Sequence, residues 1–413
     1  MKKLSILRKN LALSITARGL SNLITFISMI YLIRYLGQVQ YGRFAVALAF
    51  VNFFAFLMGP GFRTIMLRDL GKDRELLPTL MGNMLALRLL LALVTFFVMA
   101  GITTIMHFER NITILIYILF VWLFFTNLSV QFRSLFYVYQ DLKIESAFMI
   151  FEAGIKALWI GICILKKMSL VTFTVGFTLI PLILLLFSSS ISFLKYNIKR
   201  LKINLSDWPA LLSTGLVIGL VGLVSSLHLR VDIVMLSKLT GSDSLVGLYS
   251  AAFKLIEAPL FVYAIFSSVI LPEFARYLVS DKAWVRKESI YFTKIFALLF
   301  LPTALLLAYF SKPLILFVYG KNFAETHHYF RVLLPSLIFM YFNTLTGTIL
   351  YASGKQKAVL KNSVYSLLLN IGTNFIFIPM WGAYGAAFTT ILSEAFLFYL
   401  NFLHTREALQ PST

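Results

Sequence analysis

Charged side chains inside long apolar runs are the residues of this sequence that could do chemistry. They comprise five basic residues and four acids, at Arg18, Arg88, Lys156, Arg230 and Lys254 and at Glu152, Asp232, Glu257 and Glu394. A charge at the centre of a membrane-spanning helix costs about 2.5–3.5 kcal/mol on insertion scales, so we expect these side chains to face an interior or a water-filled cavity. A cavity with more cations than carboxylates favours an anionic substrate such as a phosphate or pyrophosphate.

Two of the acids have a basic neighbour on the same helical face. Glu152 precedes Lys156 by four residues, and Lys254 precedes Glu257 by three. Each pair either neutralises itself inside a helix bundle or contributes to a binding site. Arg88 has no acid within a helical turn, so we expect it to contact the substrate phosphate.

The acids Asp232, Glu257 and Glu394 are candidates for ion coupling or charge pairing, together with Glu152. Arg133 lies within about a turn of the end of its apolar run, so its side chain is long enough to reach the membrane interface.

The amino-acid composition predicts which kind of secondary structure holds these charged residues. Of 413 residues, 59% are hydrophobic and 13% are charged, whereas a soluble domain carries roughly 25% charged residues. The mean hydropathy is +0.85. Because apolar stretches long enough to cross a bilayer recur along the chain, we predict an all-α integral membrane protein.

The apolar stretches predict about twelve spans. Their residues are 11–35, 43–66, 79–105, 112–137, 145–165, 169–194, 210–238, 245–271, 290–311, 327–350, 359–379 and 382–403. Lysine and arginine are concentrated in the loops on the side of the N-terminus, which predicts that both termini are cytoplasmic. The same bias, with anionic lipid headgroups, explains much of the net charge of +20 without nucleic acid.

Two similar stretches indicate an internal duplication. Gly37 and Gly42 interrupt the first pair of apolar runs, and Gly241 and Gly247 interrupt a later pair in the same way. Six spans separate the two stretches, so the repeats are predicted to be parallel. We therefore predict an N-terminal lobe at 1–200, with spans one to six, and a C-terminal lobe at 201–413, with spans seven to twelve.

No motif for covalent chemistry is present. The sequence contains no glycine-rich phosphate loop, no cluster with metal-ligand spacing and no nucleophile with a base at suitable spacing. We therefore expect a transporter rather than an enzyme, with no cofactor and no metal.

Three blocks of sequence resemble polysaccharide and O-antigen flippases of the Wzx type. They are Leu32 to Ala45, Arg230 to Leu255, and Gly354 to Glu394. The resemblance implies the multidrug/oligosaccharidyl-lipid/polysaccharide exporter superfamily, whose fold has two six-helix lobes in a V around a central cavity. Lipid II flippases of this superfamily usually carry two further C-terminal helices, so the end of this chain at Thr413 favours a surface-polysaccharide branch.

The resemblance implies a flippase of the bacterial inner membrane. It would move an undecaprenyl-pyrophosphate-linked oligosaccharide from the cytoplasmic to the outer leaflet by alternating access. Membrane lipids, a polysaccharide polymerase and a chain-length regulator are the candidate partners. The alternatives are a lipid II flippase or drug exporter of the same superfamily, a membrane polysaccharide polymerase or glycosyltransferase, and a scaffold for the assembly machinery.

Overall fold

The computed structural model describes residues 2–196, 198 and 200–410, and most of these residues are α-helical. Short connections join the helices. The fourteen α-helices are α1 (Lys2–Phe53), α2 (Phe62–Lys72), α3 (Leu77–Ile105), α4 (Arg110–Val138), α5 (Leu142–Leu165), α6 (Leu170–Lys195), α7 (Trp208–Thr240), α8 (Asp243–Glu257), α9 (Leu260–Ser280), α10 (Lys282–Tyr309), α11 (Ser311–Tyr319), α12 (Thr326–Ala352), α13 (Gln356–Trp381) and α14 (Ala383–Ala408).

Ten helical segments within the described residues are long and apolar enough to cross a membrane. Two predicted spans are discontinuous and so are not counted separately among them. The second occupies the end of α1, a break around Pro60 and then α2, and the eighth is divided between α8 and α9 near Pro259. With these two included, the helices account for the twelve predicted spans and confirm the all-α membrane class. Proline explains the break near Pro259, because its ring removes a backbone donor and clashes with the preceding turn. At the first break, Pro60 lies between Gly59 and Gly61, which both have positive φ.

The described residues form two compact units. The first comprises Met1–Tyr35 and Ala47–Leu223, and the second comprises Leu36–Val46 and Val224–Thr413. A short part of α1 therefore belongs to the second unit, and the start of α7 belongs to the first. These units do not test whether 1–200 and 201–413 act as lobes, so that division stays a prediction.

In the first unit, the break after α1 packs against the start of α7. A Cβ atom added to Gly215 would lie 2.2 Å from the Pro60 carbonyl oxygen, and one added to Gly219 would lie 2.7 Å from the Pro60 Cβ. Small residues permit such close approach between helices in membranes. The two glycines of α7 therefore allow the backbone at Pro60 to pack closely against this helix.

In the second unit, the two duplicated stretches pack against each other. A Cβ added to Gly42 would lie 1.9 Å from the Asp243 carbonyl oxygen, and one added to Gly247 would lie 1.9 Å from that of Gln38. The contact is reciprocal, and Arg43 adds an ion pair with Asp243 at 2.6 Å. Equivalent glycines of the two stretches thus have equivalent packing roles.

We predict that Gly247→Ala lowers the thermal unfolding midpoint of the purified protein, because the new methyl group would overlap a backbone carbonyl that cannot rotate away. Overpacking of this kind typically costs about 1–3 kcal/mol. Gly372→Ala is the matched control, since its Cβ would meet nothing within 4 Å on α13 of the same unit and alanine favours helix. Equal midpoints for the two variants would contradict the close approach.

Candidate functional site

The first unit contains a group of charged side chains around Tyr137, on α4. The Arg18 Nη2 donates to the Tyr137 hydroxyl at 3.4 Å, and the Arg63 guanidinium lies over the Tyr137 ring, 5.0 Å from its centre. The Tyr137 hydroxyl in turn donates to Glu145 Oε1 at 3.4 Å. We call these residues, with Arg133, Glu152 and Lys156, the Tyr137 cluster.

Arg133 joins the two acids of the Tyr137 cluster. Its guanidinium contacts Glu145 Oε1 at 2.6 Å and Glu152 Oε2 at 2.8 Å. The ammonium of Lys156 lies 2.6 Å from the other Glu152 oxygen, so the pair expected from sequence spacing is present. Two carboxylates hold the Arg133 side chain, which is 12% exposed.

Sequence reasoning missed both Glu145 and Arg63 as candidate site residues. Glu145 lies at the start of α5, where an acid is usually solvated, yet it is only 4% exposed. Arg63 lies directly after the break at Pro60, inside an apolar run that gives no sign of where the helix ends.

The Tyr137 cluster has more cations than acids. Arg133 and Lys156 account for its two carboxylates. Arg18 and Arg63 are exposed, and within the described part of the chain neither forms an ion pair. Their guanidinium groups retain donors for a further anion, and guanidinium groups bind phosphate oxygens with bidentate geometry.

Arg88 is buried beside the break rather than within the Tyr137 cluster. Its Nε donates to Gln131 Oε1 at 2.8 Å and its Nη1 to Asn127 Oδ1 at 2.9 Å. The guanidinium also lies 5.5 Å from the centre of the Phe62 ring, and a Cβ on Gly59 would lie 2.7 Å from its Cζ. The side chain is 4% exposed, and its contact with a substrate phosphate stays a prediction.

In the second unit, Arg230 and Lys254 share one carboxylate. Arg230 Nη2 lies 3.3 Å from Glu257 Oε1, and Lys254 Nζ lies 2.8 Å from Glu257 Oε2. The structure thus brings together three residues that we expected to line a cavity. The group has one net positive charge and is partly exposed, but Glu257 is fully engaged by its two neighbours.

Asp232 lies among neutral donors, deeper in the second unit. Its Oδ1 accepts from Asn374 at 2.7 Å, and its Oδ2 accepts from Thr390 at 2.6 Å and from Tyr249 at 3.1 Å. Asn374 continues to Asn370 and Thr389. Asp232 is 4% exposed, and no cationic side chain pairs with it among the residues described. We call this set the Asp232 network.

Glu394 lies one turn beyond Thr390 on α14 and has a different environment. Its Oε1 lies 3.0 Å from His228 Nε2, and its Oε2 accepts from Asn343 at 2.7 Å. His228 precedes Asp232 by one turn of α7. The two buried acids are therefore neighbours along the same pair of helices, one with an imidazole partner and one without.

Just outside the spans, a polar contact joins the ends of α4 and α6. The Tyr196 hydroxyl donates to Asp141 at 2.7 Å, and Lys195 lies 2.7 Å from the other oxygen of that carboxylate. Burial and the neighbouring Asp141 charge raise the pKa of the Tyr196 phenol. Tyr196 therefore stays protonated at physiological pH and serves as a donor.

We predict that Arg133→Met reduces the amount of folded protein more than Lys156→Met, because the first change leaves Glu145 and Glu152 short of a cation and the second affects Glu152 alone. Breaking a buried ion pair costs about 3–5 kcal/mol. Fluorescence-detected size exclusion measures the folded fraction. Adding Glu145→Gln to Arg133→Met should restore it, because Glu152 then remains paired with Lys156, and failure of this rescue would contradict a charge-pairing role.

The chain matches the family described as polysaccharide biosynthesis protein over residues 7–278. A curated relative, the capsular polysaccharide biosynthesis protein CapF of Staphylococcus aureus, is 26% identical over 203 residues. That alignment covers 48% of this chain and 50% of CapF, so the match spans half the length of the relative.

Solved structures of transporters share the fold. The lipid II flippase MurJ in its inward closed conformation matches with a TM-score of 0.78 and 15% identity, over 96% of this chain and 87% of that protein. An inward-facing MATE multidrug transporter of the MOP superfamily matches with a TM-score of 0.65 and 15% identity, over 97% of each chain. With the family match over residues 7–278 and the fold of MOP-superfamily transporters, the chain belongs to the polysaccharide biosynthesis protein family.

Proposed function

We propose that the chain is a flippase that moves an undecaprenyl-pyrophosphate-linked oligosaccharide from the cytoplasmic to the outer leaflet of the bacterial inner membrane. Transport would proceed by alternating access. The family match and the similarity to a capsular polysaccharide biosynthesis protein support a lipid-linked sugar as substrate.

The observation that carries this proposal is the pair of exposed guanidinium groups on Tyr137. Arg18 and Arg63 contact the hydroxyl and the ring face of one tyrosine, so both are held while their remaining donors stay available. A pyrophosphate offers several oxygens to such donors, and charge-assisted bonds to phosphate are stronger than neutral ones. The sugars would occupy hydrated space, and the lipid tail would remain in the bilayer.

Arg88 enters the proposal as a residue that positions Arg63. Its guanidinium packs against Gly59 and Phe62, on either side of the break that precedes Arg63. Gln131 and Asn127 fix that guanidinium from α4, the same helix that carries Tyr137. Arg88 therefore connects the break to α4 and sets where Arg63 meets the Tyr137 ring.

The charge balance favours this substrate over the alternatives. A drug exporter for organic cations requires an acidic binding surface, whereas the Tyr137 cluster has surplus guanidinium groups. A lipid II flippase would also bind a pyrophosphate, so only a transport assay separates it from a polysaccharide flippase. A polymerase or glycosyltransferase would present an acid or base at a membrane face, whereas both acids of the cluster are engaged in ion pairs.

We predict that Arg63→Gln lowers polysaccharide export at least tenfold in a host lacking its own surface-polysaccharide flippase, since a charged hydrogen bond contributes about 1.5–3 kcal/mol. Arg63→Lys should retain part of the activity, because the charge remains but the bidentate geometry is lost. The matched control is Arg74→Gln, which removes a guanidinium that lies 4.8 Å from the centre of another tyrosine ring, that of Tyr139.

Three outcomes would oppose the proposal. Equal loss of export in Arg63→Gln and Arg74→Gln would show that the Tyr137 cluster has no special role. Full export by Arg18→Gln with Arg63→Gln would remove the anion site. Rescue of cells depleted of their lipid II flippase, without rescue of polysaccharide export, would assign the chain to the alternative substrate.

We further propose that Asp232 is the site of ion coupling. Glu257 is neutralised by two cations, and Glu394 has an imidazole partner. Among the described residues, buried Asp232 accepts hydrogen bonds from three neutral donors and forms no ion pair. Because an ionised carboxylate without a cation is costly in an apolar interior, it takes up a proton or a small cation. The surrounding amide and hydroxyl groups could accommodate either a protonated Asp232 or a small cation bound to it.

We predict that Asp232→Asn makes export in membrane vesicles independent of the proton and sodium gradients, because the isosteric amide keeps the shape but cannot bind a cation as tightly. Glu394→Gln is the comparison, since it changes the other buried acid on the same two helices. If Glu394→Gln removes the ion dependence and Asp232→Asn preserves it, the coupling site is assigned to the wrong acid.

A further inference from the structure

A cavity of about 730 Å³ lies between α10, α12 and α14 in the second unit. Its volume falls within the range of small-molecule sites, roughly 300–1,000 Å³. One part is apolar and aromatic, with Phe342, Leu345, Phe398 and Phe402 among its lining. None of these residues belongs to the Tyr137 cluster or the Asp232 network, so the cavity has no role in the transport proposal.

Two arginines line the cavity near the ends of its helices. Arg286 lies in the first turns of α10, and Arg406 lies in the last turn of α14. Both are exposed, and in the described ranges neither guanidinium forms an ion pair or hydrogen bond. The nearest acid after Arg406, Glu407, lies 3.2 Å from Lys355 and is thus already paired. The charged part of the cavity is therefore complementary to an anion.

A third feature of the cavity is a buried hydroxyl without a partner. Thr405 lines the cavity and is 6% exposed, and its Oγ1 has no hydrogen-bond partner among the described residues. Buried polar groups are almost always satisfied, so an orphaned hydroxyl is uncommon. The Oγ1 atom itself has almost no accessible surface, so Thr405 forms part of the cavity wall beside Arg406 and is not a ligand.

The dimensions fit one leaflet of a bilayer. From Arg406 to Phe398 on α14, and from Arg286 to Thr293 on α10, the lining extends about 11 Å at 1.5 Å per residue. One leaflet has a hydrocarbon depth of about 15 Å. The loop cations predict that this end of the helices is cytoplasmic, which is the leaflet where anionic headgroups face basic residues.

We propose that this cavity binds an anionic phospholipid. The headgroup phosphate lies between the Arg286 and Arg406 guanidinium groups. An acyl chain lies along Phe398, Phe402 and Leu345, as far as Thr293. A free phosphate would leave the aromatic part empty, and a zwitterionic lipid would bring an ammonium group towards two guanidinium groups. The site is separate from the proposed function and does not depend on what the chain transports.

The experiment measures lipid binding to the full-length chain in detergent by native mass spectrometry, with the lipid-dependent thermal midpoint as a second readout. The probes are phosphatidylglycerol, phosphatidylcholine, undecaprenyl phosphate and inorganic phosphate. Arg286→Gln with Arg406→Gln should weaken phosphatidylglycerol binding roughly 30-fold, about fivefold for each basic residue. Thr293→Phe should also weaken it, because the ring fills the apolar part and leaves both arginines in place.

The matched control is Lys287→Gln with Lys361→Gln, which removes two exposed cations that do not line the cavity. It should bind phosphatidylglycerol as the unchanged chain does. The site is refuted if the control and the arginine double variant lose equal affinity, if Thr293→Phe binds normally, or if phosphatidylcholine binds equally well. Tighter, arginine-dependent binding of undecaprenyl phosphate would make the carrier lipid the occupant, and equal protection by inorganic phosphate would exclude a lipid site.

Discussion

The cost of burying charge in a membrane-spanning helix bundle constrains both units of this protein. Each intramembrane acid of the first unit lies against a guanidinium, and Arg133 alone serves two of them. Among the described residues, two buried charged side chains hydrogen-bond only to neutral side chains, Arg88 in the first unit and Asp232 in the second. Such charges are expensive to retain. In our proposal each one does something that a neutral residue cannot: Arg88 positions a helix break and Asp232 binds a cation.

Charged side chains lie beside the breaks in two of the predicted spans. The second and eighth predicted spans are both interrupted, near Pro60 and near Pro259. Arg63 follows the first break directly, and Lys254 and Glu257 precede the second. Broken helices inside a membrane expose backbone groups that polar side chains or water must satisfy. Polar residues are therefore favoured beside a break. The two breaks are places where charged side chains are tolerated and can become functional.

Sequence reasoning succeeded where local spacing carries the information. The composition gave the membrane class, and three- and four-residue spacing gave the Lys254–Glu257 and Glu152–Lys156 pairs. It failed where partners are distant along the chain. Asp232 meets Asn374 and Thr390 from separations of 142 and 158 residues, and no periodicity encodes such a meeting. The contacts of Arg133 with Glu145 and Glu152 come from helix packing in the same way, because the neighbouring helix supplies both carboxylates.

The two proposed sites belong to different units of the chain, so any coupling between them must pass from one unit to the other. The Tyr137 cluster belongs to the first unit and the Asp232 network to the second, where Asp232 is buried among α7, α8, α13 and α14. Covalent continuity offers one route between them, since α7 begins in the first unit and carries Asp232 in the second. The start of α7 packs on Pro60 through Gly215 and Gly219. Pro60 lies three residues before Arg63 in the chain. We therefore expect neutralisation of Asp232 to affect Arg63 through α7 itself.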